Sequence, residues 1–559
     1  MPTGIIHLPF ILIDTMRTPL LLLTLLLAQC MWAGAQTTVT RQRGTATQLV
    51  VDGSPYIILG GELGNSSASC TQDIDRIFPH LHRMGLNTVL VPAYWDLLEP
   101  EEGRFDFTLT DHVLQVAREQ QLHVVWLWFG AWKNSMSCYT PAWFKADVER
   151  FPRAHTKAGK PLEIASCFSE NVFQADSRAF QTWLRHLREV DPQGTTLMIQ
   201  VENEIGMLED ARDYSPEAVR IYKAEHWAER YGTDIYADEK FSALHYARYV
   251  ERMIQSARGI YDVPFYVNAA MNSRGRLPGQ YPAAGPLAHL KDQWHAGAPS
   301  LLCLAPDLYD SGFTSWVAQY ALPDNPLFIP EIRRSEANGA QACYVMGEYD
   351  ALGLSPFAIE EGPDTPDYKP AAAYRMLHEL MPILTERQGQ GQMHGLYFDG
   401  TLAKGESPVG NAAVERILHE DGMKVTCRHF FTLPWDSRAT DGSQWPVAGG
   451  ILIRLNKYEY LLAGNGVVVQ FENEGEGLIQ KTLGEDGFVE AGTSQATTEQ
   501  RWSGSRRIGI LSCDQVTVTA DGQLQYLRRL NGDQDHQGRH VRIGVDDWQI
   551  LHVKLYEYQ

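Results

Sequence analysis

The sequence predicts a (β/α)8 barrel, the TIM-barrel class, followed by an antiparallel β-sandwich. Three observations predict it. From residue 47 to about residue 385, short apolar runs alternate with amphipathic segments of helical period. Beyond the polar linker Gln388-Gly389-Gln390-Gly391-Gln392 the helical periods give out, and short strands separated by Gly, Asn and Asp take over. Two glutamates, Glu204 and Glu331, follow on the fourth and seventh apolar runs, where a barrel would bring strand ends together at one mouth.

In chain order, a strand is read at 56–60. A helix follows at 73–84, with Ile74, Ile77, Phe78 and Leu81 on one face. A strand at 87–92 leads to a helix at 111–121 built on Val113, Leu114, Val116 and Ala117. The strand at 123–129 precedes a helix at 177–190 with Phe180, Trp183, Leu184 and Leu187 inward. Then come a strand at 196–201, a helix at 241–257 and a strand at 264–268. Strand candidates at 300–304, 327–330 and 352–357 complete the set, and a helix at 368–385 closes it. The runs are continuously apolar, as parallel strands buried on both faces should be. A doubly wound sheet would share that pattern, but no glycine-rich phosphate turn follows the first strand.

After the linker, strands are read at 451–455, 458–462, 467–471, 509–511, 516–518 and 550–556. The predicted domains are therefore a catalytic barrel over 36–387 and a sandwich over 393–559. The sandwich is expected to buttress the barrel, with independent sugar binding as its alternative role.

Composition narrows the function. The 559 residues are 44% hydrophobic and 10% aromatic, which excludes a disordered chain. A net charge of −20 argues against the basic face that nucleic acid or anionic lipid demands. A neutral partner is the default, and 14 Trp with 24 Tyr suit the apolar faces of a sugar.

Residues 1–35 read as a secretory signal. Met16-Arg17 supplies a start and a basic region, 20–28 an apolar core, and Ala33-Gly34-Ala35 a cleavage site. The protein is thus expected to be exported, periplasmic or extracellular, with no integral membrane segment after cleavage. The rival reading is a lipoprotein anchored at Cys30, which the preceding Gln29 fits poorly. The remaining seven cysteines show no CxxC and no zinc-site spacing. Export would permit a Cys138–Cys167 disulfide, although a scattered odd set is more in keeping with free thiols.

The chemistry concentrates at the strand ends. Two glutamates from non-adjacent strands can flank a glycosidic bond, one protonated to serve the leaving oxygen and one ionised to attack the anomeric carbon. Mutual repulsion helps to separate their protonation states. Asn203, beside Glu204, can hydrogen-bond a sugar 2-OH. Spacing alone leaves Glu202, Glu62, Glu99 and Asp307 as competing carboxylates. Glu202 would lie on the same side of an extended strand as Glu204.

Two segments stand out: Asn87-Thr88-Val89 with Tyr94-Trp95-Asp96 and Glu99-Pro100-Glu101-Glu102-Gly103-Arg104-Phe105-Asp106-Phe107, and Gln200-Val201-Glu202-Asn203-Glu204-Ile205-Gly206. On them the chain resembles the clan of retaining (β/α)8 glycosidases, and within it glycoside hydrolase family 35, the β-galactosidases. The likeness covers most of 47–385. It implies Glu204 as acid/base and Glu331 as nucleophile. The chain departs from the family after strand three, where Phe129-Gly130-Ala131-Trp132-Lys133-Asn134-Ser135-Met136-Ser137-Cys138 lacks the usual galactose-binding Glu. Pro92 stands in place of a usual Tyr. The opening loop Gly60-Gly61-Glu62-Leu63-Gly64-Asn65-Ser66-Ser67 looks like that of a bacterial subgroup with a short C-terminal β-domain, some of whose members trim galactose from xyloglucan.

The altered loops mark the expected sugar contacts. Trp132 is read either as a stacking wall or as packing under its loop. Lys133 and Asn134 suit hydroxyl recognition. Tyr94 and Trp95 line the pocket or fill the barrel's upper layer, Asn268 ends strand five, and Glu62 binds hydroxyls or pairs with a cation. No metal or organic cofactor is required, since two carboxylates suffice. The expected activity is a retaining exo-β-galactosidase acting on plant cell-wall or related oligosaccharides. Another retaining glycosidase of the clan, of endo-mannanase or arabinosidase type, and a non-catalytic sugar-binding barrel are the alternatives.

Overall fold

The structure, a computed structural model, describes Met1 and residues 38–559 apart from 273–274, 366, 401, 403–409, 434–436, 475–505, 533–534 and 537. The expected signal segment, Cys30 included, lies outside the described residues.

Eight parallel strands close into a barrel: β1 (Ile58–Glu62), β2 (Thr88–Tyr94), β3 (His123–Phe129), β4 (Thr196–Val201), β5 (Phe265–Ala270), β6 (Leu304–Leu308), β7 (Phe328–Ile332) and β8 (Gly353–Pro356). The ring closes where Gly353 and Leu354 pair with Ile58 and Leu59. A principal helix lies between successive strands and after the last: α1 (Thr71–Arg83), α2 (Thr108–Glu119), α3 (Glu170–Val190), α4 (Ile235–Ala257), α5 (Lys291–Gly297), α6 (Phe313–Tyr320), α7 (Asn338–Tyr349) and α8 (Lys369–Arg387). Strand β3 shows why the runs read as strands. All of it but His123 is buried, with Trp126 and Trp128 packed outward on Trp183 of α3.

At α3 and α4 the helix starts ahead of its apolar period because a cap, not a core residue, sets it. Ser169 accepts the Val172 N–H and starts α3 ahead of its predicted first residue. Asp234 accepts from Tyr236 and Ala237 and does the same for α4. The strand expected at 300–304 is corrected to Leu304–Leu308. Residues 301 and 302 are apolar because they pack beneath the barrel, while Asn325 bonds both the N–H and the carbonyl of Leu304 and fixes where the strand begins. Strand β7 likewise runs two residues further than expected and takes Glu331 into the strand, level with Asp307 of β6. An unforeseen three-stranded meander, Val39–Arg43, Ala46–Val51 and Ser54–Tyr56, precedes the barrel and is tied to the end of α8 through Gln48.

The second domain has two antiparallel sheets. Its strands are β9 (Met393–Phe398), β10 (Glu415–Glu420), β11 (Met423–His429), β12 (Ala448–Asn456), β13 (Glu459–Asn465), β14 (Val467–Asn473), β15 (Arg507–Val518), β16 (Leu524–Arg529), β17 (Val541–Arg542) and β18 (Gln549–Tyr558). The larger sheet has the order β9-β12-β13-β18-β15-β16 and the smaller β10-β11-β14-β17. The runs at 509–511 and 516–518 are one strand, β15, whose pairing slips between Ile510 and Ser512. Strand alternation splits the larger sheet between two cores. Leu452, Leu462 and Val553 face the smaller sheet, while Ile451, Ile453, Leu461 and Ala463 join the barrel's core. The contact with α7 is close. A Cβ on Gly395 would stand 2.2 Å from the Tyr344 carbonyl oxygen, so only glycine fits. All seven described cysteines are free. Among the described residues no helix is long and apolar enough to cross a membrane.

Candidate active site

The C-terminal ends of the barrel strands carry a cluster of buried carboxyl groups. Glu62 ends β1, Glu204 follows β4, Asp307 lies in β6 and Glu331 in β7. All four are buried. Lys133, also buried, is the cation that opposes Glu62 and Glu331, and its ammonium lies 5.0 Å from the Phe129 ring centre.

The backbone explains how Glu204 enters this cluster and Glu202 does not. Beyond Val201 the chain leaves the extended conformation, with φ of +61° at Glu202 and +45° at Glu204. The same-side relation expected of an extended strand is therefore lost. Glu202 turns into the barrel wall. Its Oε2 accepts the Trp132 N–H at 2.7 Å, and its carboxyl pairs with Asp176 of α3. Asp176 in turn accepts from Trp128 Nε1 at 2.9 Å and the Tyr249 hydroxyl at 2.7 Å. Burial and the Asp176 charge hold the Glu202 carboxyl well above its usual range, so Glu202 keeps the proton of the pair.

Glu204 is held from strand β5 and from the turn after β3. Its N–H donates to Asn268 Oδ1 at 2.9 Å, and its carbonyl accepts from Ser135 Oγ at 2.8 Å. Its carboxylate accepts the Asn134 side-chain amide. Asn134 is delivered by a tight turn in which Lys133 and Met136 exchange backbone hydrogen bonds, with left-handed φ at Asn134 and Ser135. Such conformations persist where surrounding contacts over-determine them, and they gather at functional sites.

Glu331 accepts the Tyr309 hydroxyl on Oε1. Burial first, then the Glu204 charge, pushes its carboxyl up to about 7, against Lys133 and the hydrogen bonds from Tyr309 and Glu62. Asp307 is held well above the usual carboxyl range by burial and by Glu331, Glu204 and Glu62. Tyr309 was not foreseen. It stands two positions after Asp307, the spacing of one face of an extended strand, and that period was the available signal.

The expected sugar contacts divide. Asn203 is fully buried, and neither atom of its side-chain amide has a protein partner. A group so placed would suffer about 1–3 kcal/mol if nothing ever bonded it. Lys133 and Asn134 sit within the carboxyl cluster, as does Glu62. Asn268 is corrected from sugar contact to scaffold, since one end of its amide holds Glu204 and the other donates to Asp307 at 2.7 Å. Trp132 takes the packing role, the second of its two expected readings. Its fully buried ring stands edge-on to Tyr246 and Tyr249, and it offers no exposed face. Tyr94 fills the upper layer against Phe129 and Tyr139, and Trp95 packs on Trp143 and Phe144. Glu99 is engaged by Trp95, Gly103 and Arg178 and stays out of the cluster.

Residues 67–246 match the glycoside hydrolase 42 family model, described as Beta-galactosidase, and residues 371–542 match a domain of unknown function. A β-galactosidase of Xanthomonas manihotis is 29% identical over 220 residues, 37% of this chain and 34% of that protein, so the chain spans about a third of that relative's length. Among solved structures, a β-galactosidase from the psychrophilic Marinomonas ef1 aligns with a TM-score of 0.44 at 14% identity, covering 59% of this chain and 60% of that one. A β-galactosidase from Halorubrum lacusprofundi aligns with a TM-score of 0.42 at 15% identity, covering 57% and 58%. The motifs of this sequence resemble family 35, whereas the matched model is that of family 42. The two agree at a coarser level, and over the segment from α1 into α4 the chain is similar to β-galactosidases of the retaining barrel clan.

Proposed function

We propose that this protein is a retaining exo-β-galactosidase, of family 35 type, that removes terminal β-galactosyl residues from plant cell-wall oligosaccharides such as those of xyloglucan. The observation that carries the reading is the buried carboxyl cluster at the barrel mouth, with Glu204 and Glu331 arriving from β4 and β7, strands three steps apart in the ring of eight.

In this mechanism Glu331 attacks the anomeric carbon as the bond to the leaving oxygen breaks, and Glu204 gives that oxygen its proton. Glu204, now a carboxylate, then takes a proton from water as the water attacks the glycosyl-enzyme, which releases the sugar and restores Glu331. The Tyr309 hydroxyl and Lys133 hold the Glu331 charge, and Asn203 meets the sugar 2-OH. Retention requires carboxyl groups about 5–5.5 Å apart, too close for a water beneath the ring. Export through the signal at 1–35 completes the proposal. N-terminal sequencing of the protein from its host is expected to start after Ala35, and a lipid-modified Cys30 would refute that part.

The deciding experiment is a panel of nitrophenyl glycosides, followed by galactose release from xyloglucan, pectic galactan and lactose. The β-galactoside is expected to turn over fastest, and proton NMR to show the β-anomer first. A first-formed α-anomer would overturn the mechanism, and a preference for mannosides or arabinosides the glycone. Inactivity on every glycoside would favour a binding protein.

A further inference from the structure

Four buried carboxyl groups face one buried ammonium at the barrel mouth, so they cannot all be ionised. What each receives from the protein differs. Glu204 accepts the Asn134 amide, Asp307 accepts the Asn268 amide, and Glu331 accepts the Tyr309 hydroxyl. Among the four, Glu62 alone receives no N–H or hydroxyl on either oxygen, and it is only 1% exposed. Its charge would be the least solvated of the set. The groups that face it are Glu331, Glu204 and Lys133, with Asp307, Tyr266 and Tyr309 beyond them. Its hydrogen-bonding neighbour is Glu331.

We propose that Glu62 is a positioning residue for the nucleophile, an un-ionised carboxyl whose O–H donates to Glu331 and keeps that carboxylate ionised and in place. This rests on reading Glu331 as the nucleophile. Two adjacent buried carboxyls share one charge, and it settles on the better-solvated member. Glu331 has the tyrosine hydroxyl and Glu62 has none. The directions agree, because burial and the Glu331 charge hold Glu62 well above its usual range, whereas the hydrogen bonds from Tyr309 and Glu62 pull Glu331 down. Glu62 thereby departs from the hydroxyl-binding or cation-pairing roles expected of it from the sequence.

The test compares two variants of the full chain. Glu62→Gln keeps a neutral donor, so its kcat/KM should fall only about tenfold, and the acid limb of its pH profile should stay within about half a unit of wild type. Glu62→Leu removes the donor, so kcat/KM should fall about 10–100-fold and the acid limb should rise by about one unit. An acid limb that drops by about a unit in Glu62→Gln would mean that a negative charge had been removed, and would overturn the proposal. So would an unmoved limb in a folded Glu62→Leu protein.

An infrared measurement reads the same proton without substrate. The wild-type minus Glu62→Gln difference spectrum at neutral pH should show the carbonyl stretch of a protonated carboxyl, and its absence would refute the proposal even if Glu62→Leu did not fold. A wild-type protein inactive on all glycosides would refute the nucleophile reading, while the infrared band would still decide the state of Glu62.

Discussion

Two sets of buried carboxyl groups lie close together in the barrel and are built oppositely. In the wall, Glu202 and Asp176 pair with each other, and the Trp132 N–H, the Trp128 indole N–H and the Tyr249 hydroxyl donate to three of their four oxygens. At the mouth the groups are equally buried, but neither atom of the Asn203 amide has a protein partner, and outside the carboxyl cluster nothing donates to either oxygen of Glu62 or to one oxygen each of Glu331 and Asp307. Burial is therefore not what separates structure from function here. A satisfied polar network stabilises the fold, whereas an unsatisfied one costs stability and is kept where a ligand can complete it.

Mutations should break this comparison along its two halves. The largest effect is expected at the mouth. Glu331→Gln should reduce turnover by more than about 10⁴-fold and abolish the glycosyl-enzyme seen by mass spectrometry with a slow substrate. Glu204→Ala should slow poor leaving groups by about 10²–10⁴-fold and activated ones much less, with azide restoring the latter as a β-glycosyl azide. If Glu202→Ala behaved this way instead, the wall and the mouth would have been assigned the wrong way round.

The wall should answer in stability. Asp176→Ala strands the Trp128 and Tyr249 donors and the Glu202 carboxyl, so denaturant melts should show a loss of about 3 kcal/mol or more. Asn203→Ala removes an amide that nothing in the protein bonds. It should leave the melt unchanged or slightly improved, while kcat/KM falls about 10–100-fold. Equal stability losses in the two variants would erase the distinction.

The smallest effect is in pH dependence. The Glu331 carboxyl is raised from 4.5 to about 7 in the folded protein. Between these values the folded state holds a proton that the unfolded chain has released, so its contribution to stability declines as pH rises through the window. On the proposed mechanism activity should move the other way, because there Glu331 must be ionised to attack. Thermal melts and kcat/KM measured across this range should show opposite slopes, and Glu331→Gln should flatten the melting slope.

Much of the fold was legible because it is written in local period. Continuous apolar runs marked the barrel strands, and Ile74, Ile77, Phe78 and Leu81 marked α1 as it stands in the structure. The misplaced strand at β6 shows the limit of that signal. Residues 301 and 302 are apolar for a reason other than strand pairing, and the strand start depends on Asn325, 21 residues away from Leu304. The sandwich was legible as a class, but the separate strands read within β15 were not one until its bulge was seen.

Sequence alone determined the alternation of strands and helices, the change of architecture after the linker, and the presence of glutamates at the ends of strands four and seven. These follow from neighbours along the chain, where apolar period and strand order suffice. Only the tertiary structure decided which carboxyls meet. Glu202 and Glu204 are two residues apart, yet left-handed turns send one to Asp176 in the wall and the other to the mouth. Asn268 and Trp132 became scaffold, and Tyr309 and Glu62 became neighbours of Glu331, through contacts that span from 22 to well over 200 residues. Hydrogen bonding and desolvation act through space, and no period in the sequence records them.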